Sequence, residues 1–191
     1  KYFSEGELTP EDLAAALRAA VGRQELVPVA FGDAFNNVGV DQLLEAIGAY
    51  GPSPAESPGL KFTDPEGQEV QLEGTPEAPL AALVFKVIAE QHVGELTLLR
   101  IYAGTLTSGI EVYNTTKGAN ERVGQFFHLN GHQREELEEA VAGDIVALVK
   151  LRNTHTNDTL STRSANIKLP PVEFPQPLIA VAIEPKEKGG E

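Results

Sequence analysis

The 191 residues include no cysteine, which excludes disulfides, thiolate metal sites and a cysteine nucleophile. That absence fits an intracellular chain with no need of covalent staples, and the expected location is cytoplasmic. No uninterrupted apolar stretch is long enough to cross a bilayer or to serve as a signal peptide, so a membrane partner is not expected. Methionine is missing as well, and the chain opens on Lys1-Tyr2-Phe3-Ser4 in what reads as the middle of an element, so a piece of a longer protein is expected. Basic residues are scarce, with 15 Lys and Arg against 28 Asp and Glu and a net charge of -13. Phosphate binding depends on clustered cations that release counterions, so this balance opposes broad contact with nucleic acid, and DNA is not expected as a partner.

What is present is enough for a buried core, with 41% apolar and 23% charged residues. The charge is unevenly spread. Residues 1–79 carry 4 basic and 14 acidic side chains, whereas residues 80–168 carry 9 and 10. Within the second stretch Glu135, Glu136, Glu138 and Glu139 fall together, which leaves the remainder weakly basic. That remainder is compatible with local contact to RNA, although charge alone favours an ordinary mixed-charge surface.

The pattern of apolar residues changes period near Pro79. Before it, Thr9-Pro10-Glu11-Asp12 supplies a helix start, with an N-cap, a proline at the first helical position and acids in the first turn. Leu13, Ala16, Leu17, Ala20 and Val21 recur at helical spacing, and Gly22 is the expected left-handed stop. Leu26–Phe31 predicts a short strand at an edge or end, because Pro28 lacks a ladder donor. After a loop at 32–39, Val40, Leu43, Leu44 and Ile47 predict a second helix closed by Gly51-Pro52. This order is that of the closing unit of an open α/β sheet, whose ligands bind at the carboxyl ends of strands, and it has too little apolar surface to stand alone. Residues 52–79, rich in Pro, Gly, Ser and Glu, read as a linker, with 63–67 as a turn between two short strands.

From Leu80 the chain reads as short strands punctuated by turns. Leu80–Ile88 is the first, and Glu95–Ala103 the second, with Leu96, Leu98 and Tyr102 on one face and Thr97, Leu99 and Ile101 on the other. Ile110–Tyr113, Arg122–Leu129, Ile145–Leu151 and a segment at Thr159-Leu160 follow, six or seven strands in all and enough to close a barrel. His128 and His132 have the spacing of a zinc pair but flank Asn130-Gly131, so they read as turn or surface residues and no metal is expected. The acidic run 134–139 reads as a solvated helical turn.

Two blocks carry a resemblance. Arg100-Ile101-Tyr102-Ala103-Gly104-Thr105-Leu106-Thr107-Ser108-Gly109, with Val112–Gly118 and Ala142-Gly143-Asp144-Ile145, resembles the second domain of elongation factor G. Arg100, Gly104, Leu106 and Gly109 fall in the R-V-x-x-G-x-[LI]-x-x-G register of translational GTPases. Val27–Val40 resembles the last nucleotide-binding motif of the same family, with Ala34, Phe35, Asn37, Gly39 and Val40 matching and Asp33 standing where serine is usual.

The resemblance implies an α/β remnant at 1–51, the end of a P-loop GTPase-type sheet. It further implies an all-β closed barrel of the translation-factor type at 80–168 and the start of a third domain at 169–191, extended or disordered. It implies a guanine site touched by Asp33, Ala34 and Phe35, with GTP and magnesium as cofactors of the parent protein. The fragment itself lacks the G-x-x-x-x-G-K-[ST] loop, so it is expected to bind neither and to be non-catalytic. The implied partners are the ribosome and small-subunit ribosomal RNA, with Lys117 and Arg122 as candidate phosphate contacts beside a turn. The implied activity of the parent is GTP-driven translocation of tRNA and mRNA. A ribosome-protection factor, a second paralogue and a non-enzymatic RNA- or ribosome-binding module are the competing readings.

Overall fold

The computed structural model describes residues 6–182 apart from 58, 65, 67, 91–93 and 132. The first helix, α1 (Pro10–Gly22), starts as its sequence dictates. Asp12 N–H donates to Thr9 Oγ1 and Thr9 N–H donates to Asp12 Oδ2, both at 3.2 Å, which closes a reciprocal cap. Its stop differs from the expectation. Gly22 stays helical, facing Pro52, and Gln24 takes the left-handed conformation at φ 61° once Arg23 N–H has bonded to the Ala19 carbonyl.

Helix α2 (Val40–Tyr50) ends at Gly51 as expected and packs beside α1. Neither helix contains a buried residue, and Leu13, Leu43, Leu44 and Ile47 remain exposed. The strand expected at Leu26–Phe31 does not form. Val27, Val29 and Phe31 are 82%, 75% and 92% exposed, because a strand needs a neighbour to satisfy its main-chain groups and none lies beside it among the described residues.

Residues 52–79 are more than a connection. A single 3-10 turn at Pro54–Glu56 leads into a hairpin of β1 (Leu60–Thr63) and β2 (Glu69–Leu72), the two short strands anticipated around the 63–67 turn. Leu60, Phe62 and Leu72 pack against Ala81, Leu83, Ala103 and Leu169 on the outside of the larger β unit.

That unit begins with a long antiparallel pair, β3 (Ala81–Glu90) and β4 (Gly94–Ala103), followed by the short β5 (Thr105–Thr107). The alternation in β4 sorts as its sequence requires, with Leu99 and Ile101 in the main core and Leu96 in a smaller cluster on the opposite face. Next come β6 (Glu111–Asn114) and β7 (Ala119–Arg122), joined by the turn 115–118. Then follow β8 (Phe126–Asn130), β9 (Gln133–Leu137), β10 (Glu139–Val141), β11 (Ile145–Val149) and β12 (Thr159–Ser161).

Three expectations are corrected here. The span 122–129 is two strands, because Val123 leaves the ladder to donate its N–H to the Ile110 carbonyl and accept the Gly109 N–H. The acidic run is extended rather than helical: residues 134–137 lie in the edge strand β9, which pairs with β8 from Asn130↔Gln133 to Phe126↔Leu137, and Glu139 opens β10 opposite Thr107, a pairing that overrides a helical spacing of carboxylates.

The third correction concerns closure. The main sheet is an open ladder of eight strands in the order β7-β6-β12-β3-β4-β11-β8-β9, with β5 and β10 as a separate ribbon. Only three residues separate β7 at one end from β8 near the other, so those strands lie within roughly 14 Å of each other and the sheet must curl. One core results, in which Val84, Leu99, Leu106, Val112, Val123, Phe126, Ala140, Val146 and Leu160 pack together. Among the described residues β7 and β9 share no ladder; nearby, Ser108 N–H bonds to the Glu138 carbonyl at 2.9 Å, which extends the β5–β10 ribbon, and Ser108 Oγ bonds to the Gly124 carbonyl at 3.2 Å. Past Leu169 the described chain carries no secondary structure, and Leu178, Ile179 and Val181 are exposed; the expected strand at 175–186 runs partly outside the described residues.

Candidate functional site

The loop at 32–39 is shaped by one carboxylate. Asp33 and Val38 exchange main-chain hydrogen bonds at 2.9 Å, which draws the loop into a tight bracket. Inside it Asp33 Oδ1 accepts the Phe35 and Asn36 N–H groups at 3.1 and 3.2 Å, and Asp33 Oδ2 accepts from the Asn36 side-chain amide. These donors, the Asn36 side chain first, hold the Asp33 carboxyl below the usual carboxylate range. A depressed carboxylate favours the ordered loop above its ordinary pKa and loses that effect as pH falls through the lowered value, so at neutral pH the bracket is fully ionised. The residue that departs from the usual serine is thus the one organising the loop.

The bracket turns through two left-handed residues, Asn37 at φ 56° and Gly39 at φ 78°, before α2 begins. A Cβ on Gly39 would lie 3.0 Å from the Phe31 carbonyl oxygen, so glycine is required for the close return of the chain. Ala34 N–H meets no acceptor among the described residues, and Phe35 is 96% exposed. Beneath lies a concavity of about 170 Å³ lined by Phe31, Asp33, Ala34, Val38, Val40 and Leu43. The three residues singled out here therefore share one exposed rim, with one main-chain donor left without a partner among the described residues.

The two basic candidates are not brought together. Lys117 lies in the turn between β6 and β7, where its N–H donates to Asn114 Oδ1 at 3.0 Å. Arg122 ends β7 opposite Glu111, at the far end of a four-residue ladder and so roughly 10 Å along the strand from its start. Both side chains are exposed. Between them sits a third cation that sequence reasoning missed, Arg163, stacked 5.2 Å above the Tyr113 ring and donating to Asn120 Oδ1 at 3.4 Å. Tyr113 and Asn120 are register partners, so the guanidinium covers the middle of the hairpin.

A buried polar network fixes that hairpin and was also missed. Glu121, 4% exposed, accepts the Arg152 and Asn153 N–H groups at 3.3 and 2.6 Å and the Thr154 hydroxyl at 3.0 Å. Asn114, fully buried, donates to Thr154 Oγ1 and to Asp158 Oδ2 at 3.3 and 3.0 Å and caps the turn that holds Lys117. The signal was available, since period two from the buried Val123 places Glu121 on the inward face. Glu121→Ala strands three donors and is expected to cost about 2–3 kcal/mol in urea unfolding, whereas Glu121→Gln keeps an acceptor and should cost about 1 kcal/mol. Equal losses in the two variants would remove the hydrogen-bonding role.

His128 lies on β8 and His132 falls outside the described residues. No helix among the described residues is long and apolar enough to cross a membrane.

Residues 79–163 match the family described as elongation factor G domain 2, a span running from just before β3 to just after β12. A solved structure from Thermus thermophilus is similar over 93% of this chain, at 28% identity and a TM-score of 0.69. The chain spans 24% of the length of that protein. The Arg100–Gly109 corner, the curled eight-stranded ladder and the family match converge on one conclusion: residues 79–163 form a domain similar to elongation factor G domain 2.

Proposed function

We propose that this chain is an internal piece of a ribosomal translocase GTPase, in which the helical unit ends an α/β nucleotide-binding sheet and the β unit docks on the ribosome. The exposed apolar faces of α1 and α2 and the unpaired, extended 26–31 segment support the first half, since each lacks what a neighbouring sheet would supply. The observation that carries the reading is the Ala34 N–H, without an acceptor among the described residues, on an exposed and preformed loop, in a chain whose next unit is elongation factor G-like. A main-chain donor there suits the O6 acceptor of guanine and is mismatched to the amino group that adenine has in its place. Ala34 and Phe35 would lie against the base, while Asp33 acts by holding the loop. GTP binding and hydrolysis would supply the free energy for moving tRNA and mRNA, and the phosphate and magnesium contacts belong to motifs outside this sequence. Lys117 and Arg122 would meet phosphates of small-subunit ribosomal RNA.

The protein that carries this chain is expected to hydrolyse GTP faster when ribosomes are added; one that binds ribosomes yet never turns over GTP would leave only the binding-module reading. Lys117→Ala with Arg122→Ala should lower the salt dependence of small-subunit binding by about two counterions, roughly one per phosphate contact. An unchanged slope would move the RNA contact elsewhere.

A further inference from the structure

We propose that residues 53–56 are a joint that sets the orientation of the helical unit on the β unit, with an ionic clasp on one side and a steric seat on the other. The clasp is centred on Arg18 of α1. Its Nη2 donates to both Glu56 carboxylate oxygens at 2.8 and 2.9 Å, and its Nη1 donates to the Ala49 carbonyl at 2.8 Å, near the C-terminal end of α2. One guanidinium thereby joins α1, α2 and the 3-10 turn, a geometry for which a planar two-armed donor is suited and a lysine is not. Glu56 is held in turn by the Ser53 N–H at 2.9 Å.

The seat is Pro54. A Cβ built on Gly143, between β10 and β11, would lie 2.3 Å from Pro54 Cγ, and one built on Gly74, after β2, would lie 2.8 Å from the Pro54 carbonyl oxygen. Two glycines of the β unit therefore leave the room that the proline fills. Beside it lies a cleft of about 160 Å³ bounded by Ser57, Leu60, Arg100 and Tyr102, and no strand packs extensively against α1 or α2 among the described residues, so the attachment is narrow. Relative motion is the default for units joined by small interfaces, which makes a narrow attachment with a releasable half a device for switching between held and free.

The two halves respond to different conditions. Both clasp side chains are nearly half exposed, at 43% and 47%, so salt reaches them, and at 1 M the screening length falls to about 3 Å. The Ser53 N–H first, and the Arg18 guanidinium second, hold the Glu56 carboxyl at about 2. Its contribution is present above the ordinary carboxylate range and lost only as pH falls through about 2, so pH near neutrality leaves the clasp closed. The seat, being steric, ignores both. None of this depends on a nucleotide or on RNA.

The chain has no native cysteine, so Gln42→Cys on α2 and Glu139→Cys on β10, both exposed, give a unique pair for spin labels. Pulsed electron spin resonance on the full chain at low salt should return one narrow distance distribution. Arg18→Ala and Glu56→Gln should each broaden it roughly twofold, with no further effect when combined, and 1 M salt should broaden the parent to the same width. Gly143→Ala should shift or broaden it at any salt, with the melting of the β unit followed to register the strain at φ 103° separately. A parent already broad at low salt, or an Arg18→Ala variant as narrow as the parent, would overturn the joint.

Discussion

Gly104→Ala is expected to lose more than about 4 kcal/mol of folding free energy, a large share of the roughly 5–15 kcal/mol that holds a typical domain together. Gly104 is buried between β4 and β5 at φ 77°, a conformation costing an alanine about 1–2 kcal/mol by itself. The larger penalty comes from close approach. A Cβ there would lie 2.6 Å from both Leu80 Cα and Leu80 N and 2.7 Å from the Ala78 carbonyl oxygen, all of them backbone atoms that no rotamer change can move aside. Relief would break the bonds that fix the corner, Gly104 N–H to the Thr75 carbonyl at 2.9 Å and Ala142 N–H to the Gly104 carbonyl at 3.1 Å. Thermal unfolding followed by circular dichroism should show a fall of roughly 10 °C or more. Gly109→Ala is the control, because Gly109 has φ 83° but open space where its Cβ would go. It should cost only the conformational part, and equal losses at the two positions would deprive the close approach of its role.

Phe126→Ala should cost about 3–5 kcal/mol, through lost transfer free energy and a cavity the curled sheet cannot refill. Phe126 is fully buried at the start of β8, opposite Leu148 on one neighbour and Leu137 on the other, where the ladder nears its seam. Urea unfolding should show a lower midpoint with an unchanged slope. Phe126→Leu keeps most of the volume and should cost less than about 1.5 kcal/mol. A small loss for the alanine variant would mean that the seam collapses inward to fill the space, contrary to a core too rigid to close over it.

Much of this architecture was legible because its causes are local. Thr9, Pro10 and Asp12 determine a helix start within one turn, and the alternation through β4 needs only its own ten residues. The corner at Gly104 and the organising part played by Asp33 were likewise within reach of short-range chemistry. Features that depend on distant partners were not. Strand β9 reads as polar in any register, and only its pairing with β8 decides its conformation. Openness of the ladder turns on where Val123 directs two main-chain groups, toward Gly109 and Ile110, which no periodicity records. Residues 26–31 have the composition of a strand and remain unpaired because pairing is a property of two segments. At the basic face, Lys117 and Arg122 were visible as charges, whereas Arg163 enters from the turn after β12, far along the chain from the ring it covers.

The outermost position of β9 has a consequence for how molecules of this protein meet one another. A terminal strand offers a row of free amide and carbonyl groups on which a foreign chain could template itself, the first step toward fibrils. Here that row carries Glu135 and Glu136, both exposed, so two such borders brought side by side confront carboxylate with carboxylate. The sheet can end in the open without recruiting copies of itself.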